Sequence, residues 1–415
     1  MKKFQLLVLL LLNYFVLCLI TNITGALLPF WKGDFHLSNT MLSLLGSSFF
    51  LAYGLTSLPQ GFLLDNIGSK KTFLWGICMV FVGALIFAVM PQYQVGMVSL
   101  FIMGIGITAL QMVNSLLIKK VNDDPALYTR NMTFAQIFAG MGSASGGLLV
   151  GFLIKNMHLH WQSAYIVFVG LALLLGVFTL ITKIPETRND ADYVKPTKAD
   201  YLKLAKNPLM LMFAVGIFIY VGIEVGIATW IPTFLVENRG IDKILAAQIV
   251  SMYWIFQSGG RFIGGFVMNF ISAPKALVGY ALACLAALIL AVYAPSANLS
   301  SILFITVGFF TSIMFSSIFS FAVNSFDKSQ EGVVAGIMCT AIIGGAVTAP
   351  FIGYIATLTH SLGLGMIIGG AISFLYIAFL GLKSINSPVL SVSTKKKEIS
   401  IKAKSKEEER EKVRV

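Results

Sequence analysis

Charged side chains are scarce in this sequence. Lysine, arginine, aspartate and glutamate together make up 12% of its 415 residues, whereas 57% of the residues are hydrophobic. A soluble domain carries about twice that share of charged residues. The composition therefore excludes an ordinary soluble protein and favours a protein that crosses a membrane.

Motifs of enzyme chemistry are lacking as well. The sequence has no phosphate-binding loop, no metal-ligand spacing and no nucleophile paired with a base, and its loops are too short to hold a catalytic domain. The four cysteines lie in apolar stretches without paired spacing, which predicts packing rather than disulfides: Cys18, Cys78, Cys284 and Cys339. We therefore expect no enzymatic activity, no cofactor and no metal.

What the sequence has in abundance is long apolar runs. A helix needs about 20 apolar residues to cross a bilayer. The first run follows Lys2 and Lys3, as a signal peptide would, but it is long enough to span and lacks a clear small-x-small cleavage site. We predict twelve transmembrane helices, near residues 5–29, 40–64, 72–90, 94–118, 131–154, 162–182, 209–235, 246–270, 276–294, 300–324, 332–357 and 363–385.

The positions of the basic residues predict the orientation. With the N-terminus inside, the outer loops hold only Lys32, Lys155, Arg239 and Lys243, and every other lysine and arginine except Arg261 lies on the inner side. The positive-inside rule then places both termini in the cytoplasm of a multi-pass plasma-membrane protein, here the bacterial inner membrane. This topology and attraction to anionic lipid explain the net charge of +12, so no nucleic-acid partner is needed.

Polar stretches divide the chain into four parts. We predict an N-terminal six-helix bundle over 1–183, a cytoplasmic linker over 184–208, a C-terminal six-helix bundle over 209–386 and a mixed-charge cytoplasmic tail over 387–415. The tail is interpreted as disordered, with binding to anionic lipid as the alternative. We expect the protein to be a monomer.

The two halves also resemble each other. Residues 61–71 (GFLLDNIGSKK) align with residues 265–275 (GFVMNFISAPK) at a constant offset of 204, each at the end of the second span of its half. The first copy is similar to the signature of the major facilitator superfamily, Gly-x-x-x-Asp-Arg-x-Gly-Arg-Arg/Lys. The matching residues are Gly61, Asp65, Gly68 and Lys70, whereas Asn66 and Ser69 depart from the pattern.

This resemblance implies an all-α membrane protein in which twelve transmembrane helices form two pseudo-symmetric six-helix bundles. It also implies a gating role for Asp65, Gly68 and Lys70. Asp65 would accept hydrogen bonds from the amino end of a helix in the other half and hold the inner gate shut. An ordinary solvated turn is the alternative.

Four further segments are similar to the fucose/galactose/glucose-proton symporter branch of that superfamily. They are residues 106–111 (GITALQ), 220–226 (YVGIEVG), 251–254 (SMYW) with 260–264 (GRFIG), and 341–346 (AIIGGA). The resemblance runs through most of residues 10–385. It implies a sugar carrier that works by alternating access.

The chain departs from that branch where the branch has coupling acids. Thr24 and Gly25 stand in place of Asn-Asp in the first span, and Gln111 replaces a glutamate in the fourth. Gln136 keeps the amide of the fifth span. An amide cannot titrate, so the N-terminal half has groups for sugar hydroxyls but no buried acid to carry a proton.

Two ionisable residues lie inside predicted spans, Glu224 in the seventh and Arg261 in the eighth. A charge at bilayer depth costs at least about 2.5 kcal/mol, so such residues usually face the bundle interior and mark a functional region. Glu224 is the remaining candidate for proton coupling. The alternative is a structural ion pair between Glu224 and Arg261.

A sugar site combines aromatic rings with amides and carboxylates that fix the hydroxyl groups. Candidates for substrate binding lie in the first, fourth, fifth, seventh and eighth spans: Asn22, Gln111, Asn114, Gln136, Tyr220, Tyr253, Trp254 and Gln257. The aromatic residues could instead serve packing. Glycine-rich stretches in the fifth and eleventh spans predict close helix approach, with or without a role in motion: Gly140, Gly142, Gly146, Gly147, Gly332, Gly336, Gly344 and Gly345.

The first functional hypothesis is therefore uptake of a neutral monosaccharide or small polyol by proton symport. The alternatives are a facilitator, a sodium-coupled sugar carrier, and an exporter or antiporter of an organic anion or amphipathic metabolite, since Arg261 could bind a carboxylate. A third class is a scaffold that presents the tail to a partner. Deletion of residues 387–415 would abolish the function of a scaffold and spare that of a carrier.

Overall fold

The computed structural model describes residues 2–120, 125–185, 198–268, 270–326 and 330–385. In these ranges the chain is helical, apart from short connections. The helices are α1 (Lys2–Asn22), α2 (Thr24–Phe35), α3 (Asn39–Ile67), α4 (Ser69–Val89), α5 (Tyr93–Lys120), α6 (Pro125–Gly151), α7 (Ser163–Ile181), α8 (Lys198–Ala205), α9 (Pro208–Arg239), α10 (Lys243–Val267), α11 (Ala273–Tyr293), α12 (Ala297–Thr311), α13 (Met314–Asn324), α14 (Glu331–Thr340), α15 (Gly344–Thr359) and α16 (Leu362–Ile385).

Three predicted spans are each built from two consecutive helices: α1 with α2, α12 with α13, and α14 with α15, the last pair joined by the short 3-10 turn Ala341–Ile343. Within the described ranges, eleven segments are long and apolar enough to cross a membrane. The remaining predicted span coincides with α10, whose 25 residues reach about 37 Å. Polar residues dilute its hydropathy, and α10 packs between α6 and α12.

The N-terminal half comprises α1 to α7 and the C-terminal half α9 to α16. The short helix α8 lies within the predicted linker, of which residues 186–197 fall outside the described part, as does the whole predicted tail over 387–415. The internal repeat has a structural counterpart, because α4 begins at Ser69 and α11 begins 204 positions later, at Ala273.

Local signals set the helix boundaries. Asn207 precedes Pro208 and accepts hydrogen bonds from the backbone N–H groups of Leu209 and Met210, which caps α9. Asp242 caps α10 in the same way. Gly68 separates α3 from α4 with φ at 84°, a conformation that disfavours any residue with a Cβ.

The halves meet mainly through two pairs of helices, α3 with α15 and α6 with α10, and α2 also packs against α9 and α10. The first pair joins the second span to the eleventh, and the second pair joins the fifth span to the eighth. The two pairs are equivalent, because a six-span repeat relates the second span to the eighth and the fifth span to the eleventh. We use "terminal face" for the side where α1 begins and α16 ends, and "far face" for the side where α2 ends and α3 begins.

The halves are tightly packed toward the far face. A Cβ at Gly353 of α15 would lie 2.9 Å from the Asn39 carbonyl oxygen and 3.0 Å from Ser43 Oγ, both in α3. Gly147 of α6 packs directly on the Ala247 carbonyl of α10, and the Leu148 N–H donates to Ser251 Oγ at 3.1 Å. Glycine permits this approach of the two backbones because it lacks a side chain.

Toward the terminal face the halves diverge. Along the same stripe of α3, Gly54 touches Ile343, but at Gly61 the nearest described atom to an added Cβ is Met112 Sδ of the same half, 4.0 Å away. Cys339 of α14 is exposed, although it lies near Tyr53 of the other half. Among the described residues, the halves are therefore in close contact at the far face and make fewer close contacts toward the terminal face, as in a conformation that opens at the terminal face.

Candidate functional site

A small cavity lies between the halves at the break between α1 and α2. It encloses about 10 Å³, roughly the space of one water molecule. Its lining comes from both halves and consists of Thr21, Asn22, Thr24, Gly25, Phe50, Val225, Ala228, Thr229 and Trp254. Amide, hydroxyl and indole groups are thus gathered around one point, with no charged residue among those that line it.

Asn22 ends α1 and turns its side chain toward α6. Its Nδ2 donates to the Cys18 carbonyl at 3.0 Å and to Ser143 Oγ at 3.0 Å. Opposite it, Trp254 is 5% exposed, and its indole N–H has no acceptor among the described residues. A buried donor without an acceptor is costly, so a ligand or water that accepts this N–H would be stabilised there.

A second cluster lies in the C-terminal half around Glu224. The Tyr220 hydroxyl and the Gln257 amide both donate to the Glu224 carboxylate. The Tyr220 oxygen also lies 3.2 Å from the Thr311 carbonyl oxygen, and Gln257 Nε2 is 3.5 Å from Thr311 Oγ1. Since Thr311 ends α12, where the tenth span breaks, the cluster ties α9, α10 and α12 together.

Gln257 joins Glu224 to Arg261. Its Oε1 accepts from an Arg261 terminal nitrogen at 3.4 Å, while its Nε2 donates to the carboxylate. Glu224 and Arg261, the two members of the predicted ion pair, are therefore connected through the buried side-chain amide of Gln257. Cys18 of α1 lies near both charges, so the cluster faces the N-terminal half.

This arrangement can do two things chemically. The cavity offers donors and acceptors suited to hydroxyl groups, and the cluster beside it holds a carboxylate that can accept or release a proton. Tyr253 packs edge-on against Trp254, with ring centroids 5.1 Å apart, and is fully buried. Trp254 connects the two regions because it lines the cavity from the helix that carries Gln257 and Arg261.

Other predicted site residues lie elsewhere or outside the described side chains. Asn114 is fully buried inside the N-terminal half, where its Nδ2 donates to the Leu10 carbonyl at 3.2 Å. Gln111 is half-buried on α5 and has an interaction partner. The side chains of Gln136 and Asp65 fall outside the part of the chain that the structure describes.

The predicted gating residue Lys70 makes its contacts inside its own half. Its ammonium group donates to the carbonyl oxygens of Leu180 at 2.9 Å and Thr182 at 3.1 Å, at the end of α7. A cation at this position is favourable, since the C-terminal end of a helix carries partial negative charge. With Gly68, Lys70 holds the turn between α3 and α4 against α7.

Sequence reasoning missed part of this site. Thr21, Phe50 and Thr229 line the cavity. Ser143 accepts a hydrogen bond from Asn22, and Thr311 contacts Gln257 of the Glu224 cluster. The threonines carried a weak signal, since each is a polar residue inside a long apolar helix. Phe50 carried none, because its role depends on packing against Gly345 of the other half.

Comparison with known proteins agrees with the architecture. The profile of the Major Facilitator Superfamily matches residues 10–350. The chain is 28% identical over 386 residues to a glucose/galactose transporter of Brucella abortus, covering 89% of this chain and 92% of the relative. It is 22% identical over 374 residues to the L-fucose-proton symporter of Escherichia coli, covering 83% and 85%.

Solved structures show the same fold. The crystal structure of a single-residue variant of the fucose:proton symporter of Escherichia coli superimposes with a TM-score of 0.66 at 20% identity, over 92% of this chain and 98% of that one. The predicted fold and the predicted kinship are thus confirmed, and a transporter family agrees with the expectation that the chain is not an enzyme. The chain belongs to the Major Facilitator Superfamily and is a multi-pass membrane protein that acts as a secondary transporter.

Proposed function

We propose that this protein takes up a neutral monosaccharide by proton symport. The observation that carries the proposal is the interfacial cavity, where Asn22, Trp254 and three threonine hydroxyls meet beside the Glu224 cluster. Hydroxyl-rich solutes are bound through such groups, and an uncharged lining disfavours a net charge on the solute. The names of the glucose/galactose and L-fucose relatives point in the same direction.

The cavity is much smaller than a sugar, so binding requires the halves to separate. In the conformation described, the terminal-face cleft provides that freedom, whereas the far face is sealed by backbone contacts at Gly147 and Gly353. Transport then alternates between this conformation and one that opens at the far face. We place the termini in the cytoplasm of a bacterial inner membrane, as the basic residues predict.

Glu224 is proposed as the coupling group. Its carboxylate is satisfied by Tyr220 and Gln257, and the Arg261 guanidinium bonds the other end of Gln257. Protonation would convert the carboxylate into a donor and loosen its bond to the Gln257 amide. Because Gln257 shares a helix with Trp254, the proton would act on the sugar site through α10.

The test is uptake into proteoliposomes. We would supply labelled D-glucose, D-galactose, L-fucose and D-glucuronate, each under an inward proton gradient, a sodium gradient or no gradient. The variant is Glu224→Gln, and the control is Asp34→Asn, which alters an exposed carboxylate at the end of the first span. We expect one neutral sugar to accumulate with the proton gradient, and Glu224→Gln to equilibrate that sugar without accumulating it.

Several results would overturn the proposal. Preference for D-glucuronate would indicate an organic-anion carrier that uses Arg261. Accumulation with sodium alone, or equilibration by the unaltered protein, would indicate a sodium-coupled carrier or a facilitator. Retained accumulation in Glu224→Gln would remove Glu224 from the coupling role while leaving the substrate assignment intact.

A further inference from the structure

An ion pair crosses between the halves at the far face. Lys32, near the end of α2, donates to the Glu237 carboxylate near the end of α9 and to Asn39 Oδ1 at 2.7 Å. Both charged side chains are partly exposed, 27% and 36%. A hydrogen bond between Thr40 Oγ1 and Thr357 Oγ1, 3.1 Å long, joins α3 to α15 on the same face.

The ion pair stands in line with the central cavity. Residues four apart on a helix share one face, and Gly25, Pro29 and Gly33 follow that spacing on α2. Thr229, Thr233 and Glu237 follow it on α9. The first member of each series lines the central cavity, and the later members line a second cavity of about 210 Å³ that opens at the far face.

The two cavities are separated by a short stretch of packed backbone, which we call the plug and which is formed by Gly25, Ala228 and Thr229. A Cβ at Gly25 would lie 2.6 Å from the Ala228 carbonyl oxygen and 3.1 Å from Thr229 Cα, so α2 and α9 touch through their backbones there. Thr233, 1% exposed, lines the second cavity with a hydroxyl that has no partner among the described residues. An unpaired hydroxyl in line with the central cavity can form a hydrogen bond with a polar solute that passes between the two cavities.

We infer that Lys32 and Glu237 form a releasable latch over the far end of the solute path. The pair holds the far face closed while the terminal face is open, and it separates when the far face opens. The inference requires alternating access but not a particular solute or coupling ion.

The exposure of the pair suits this role. An exposed ion pair contributes little to stability, because water solvates both charges when they part. A buried pair would be far costlier to break, since each charge would be left without a partner. The Lys32–Glu237 pair can therefore bias the equilibrium without trapping the protein in one state.

The latch can be tested by thiol accessibility. Ser43 of α3 is 1% exposed and faces α15, so Ser43→Cys in a cysteine-free background reports opening of the far face. The purified protein would be reconstituted in nanodiscs, where a thiol reagent reaches both faces whatever the orientation. We would compare Lys32→Ala, Glu237→Gln and the charge swap Lys32→Glu with Glu237→Lys, using Lys155→Ala as the control because Lys155 is an exposed lysine at the same face.

Each single latch variant should raise the labelling rate of Ser43→Cys about two- to fivefold, the shift that an exposed ion pair supports. The charge swap should return the rate to that of the parent, and Lys155→Ala should leave it unchanged. Equal rates in all variants would overturn the latch. So would a swap that labels as fast as the single variants, because the effect would then not depend on the pair. An unchanged elution profile in size-exclusion chromatography separates opening from misfolding.

Discussion

At the residue scale, Glu224 is the unusual group of this molecule. Among the described residues, this carboxylate in the middle of a 32-residue helix is satisfied by one hydroxyl and one amide rather than by direct contact with a cation. Hydrogen bonds to a charged group contribute about 1.5–3 kcal/mol, more than those between neutral groups. Tyr220 and Gln257 therefore determine whether Glu224 can be held at this depth.

We predict that Tyr220→Phe lowers both stability and transport. The change removes one donor from Glu224 while keeping the ring that packs near Phe315. The expected loss of unfolding free energy is about 1.5–3 kcal/mol, measurable as a lower melting temperature of the purified protein.

The matched control is Tyr376→Phe. Tyr376 donates to the Met212 carbonyl at 3.0 Å, away from the cavity, so its loss should cost about 1 kcal/mol and leave uptake intact. If both variants affect uptake equally, Tyr220 has no specific role at the site.

A second residue-scale prediction concerns Gly68. Because its φ is 84° and its ψ is 170°, Gly68→Ala places a Cβ in a disfavoured backbone conformation and should cost roughly 1–3 kcal/mol. Gly170→Ala, in α7 with nothing within 4 Å of the new Cβ, should be neutral or stabilising by up to about 1 kcal/mol. Thermal unfolding of the two purified variants makes the comparison, and a neutral Gly68→Ala would contradict it.

At the element scale, glycines allow the backbones of neighbouring helices to come into direct contact. Gly147 of α6 lies against Ala247 and Ser251 of α10, and Gly344, at the start of α15, lies against Phe218 of α9. The first contact joins the halves, whereas the second is internal to the C-terminal half. Changes at the first should therefore alter the balance between conformations, and changes at the second should alter stability.

We predict that Gly147→Val favours the conformation that is open at the far face. The new side chain cannot fit against the Ala247 carbonyl, so the closed contact between α6 and α10 is lost. Labelling of Ser43→Cys should rise by more than the latch variants produce. Gly259→Ala in α10, which meets nothing within 4 Å, is the control. A labelling rate equal to that of this control would show that the contact does not hold the far face.

The elements were largely predictable from sequence because apolar run length alone identifies a membrane-spanning helix. The breaks inside spans one, ten and eleven were not, since they depend on packing against other helices at Asn22, Thr311 and Gly344. Glu224, Tyr220 and Gln257 were found because a charge and its partners are conspicuous in apolar helices. Of the two latch residues, Lys32 was noted only as a loop charge and Glu237 was not noted, because nothing in the sequence pairs residues 205 positions apart.

At the scale of the whole molecule, the proposed alternating access requires the two halves to move against each other, so a covalent link across the far face should stop the cycle. Thr40 and Thr357 have hydroxyl oxygens 3.1 Å apart, close enough for paired cysteines to approach disulfide geometry. We predict that Thr40→Cys with Thr357→Cys loses uptake on oxidation and regains it on reduction. Each single cysteine variant should remain active under both conditions, and uptake that persists in the oxidised pair would contradict rigid-body closure here.

The central cavity has one further consequence. With room for about one water molecule, the resting carrier is almost solid at its midpoint, and the plug at Gly25 closes it on the far side. The described residues leave no room at this point for a continuous file of water, so we expect the reconstituted carrier without solute to leak neither protons nor small ions. The side chains proposed to bind the solute would thus also insulate the membrane, and an idle carrier would leave the ion gradients of the cell intact.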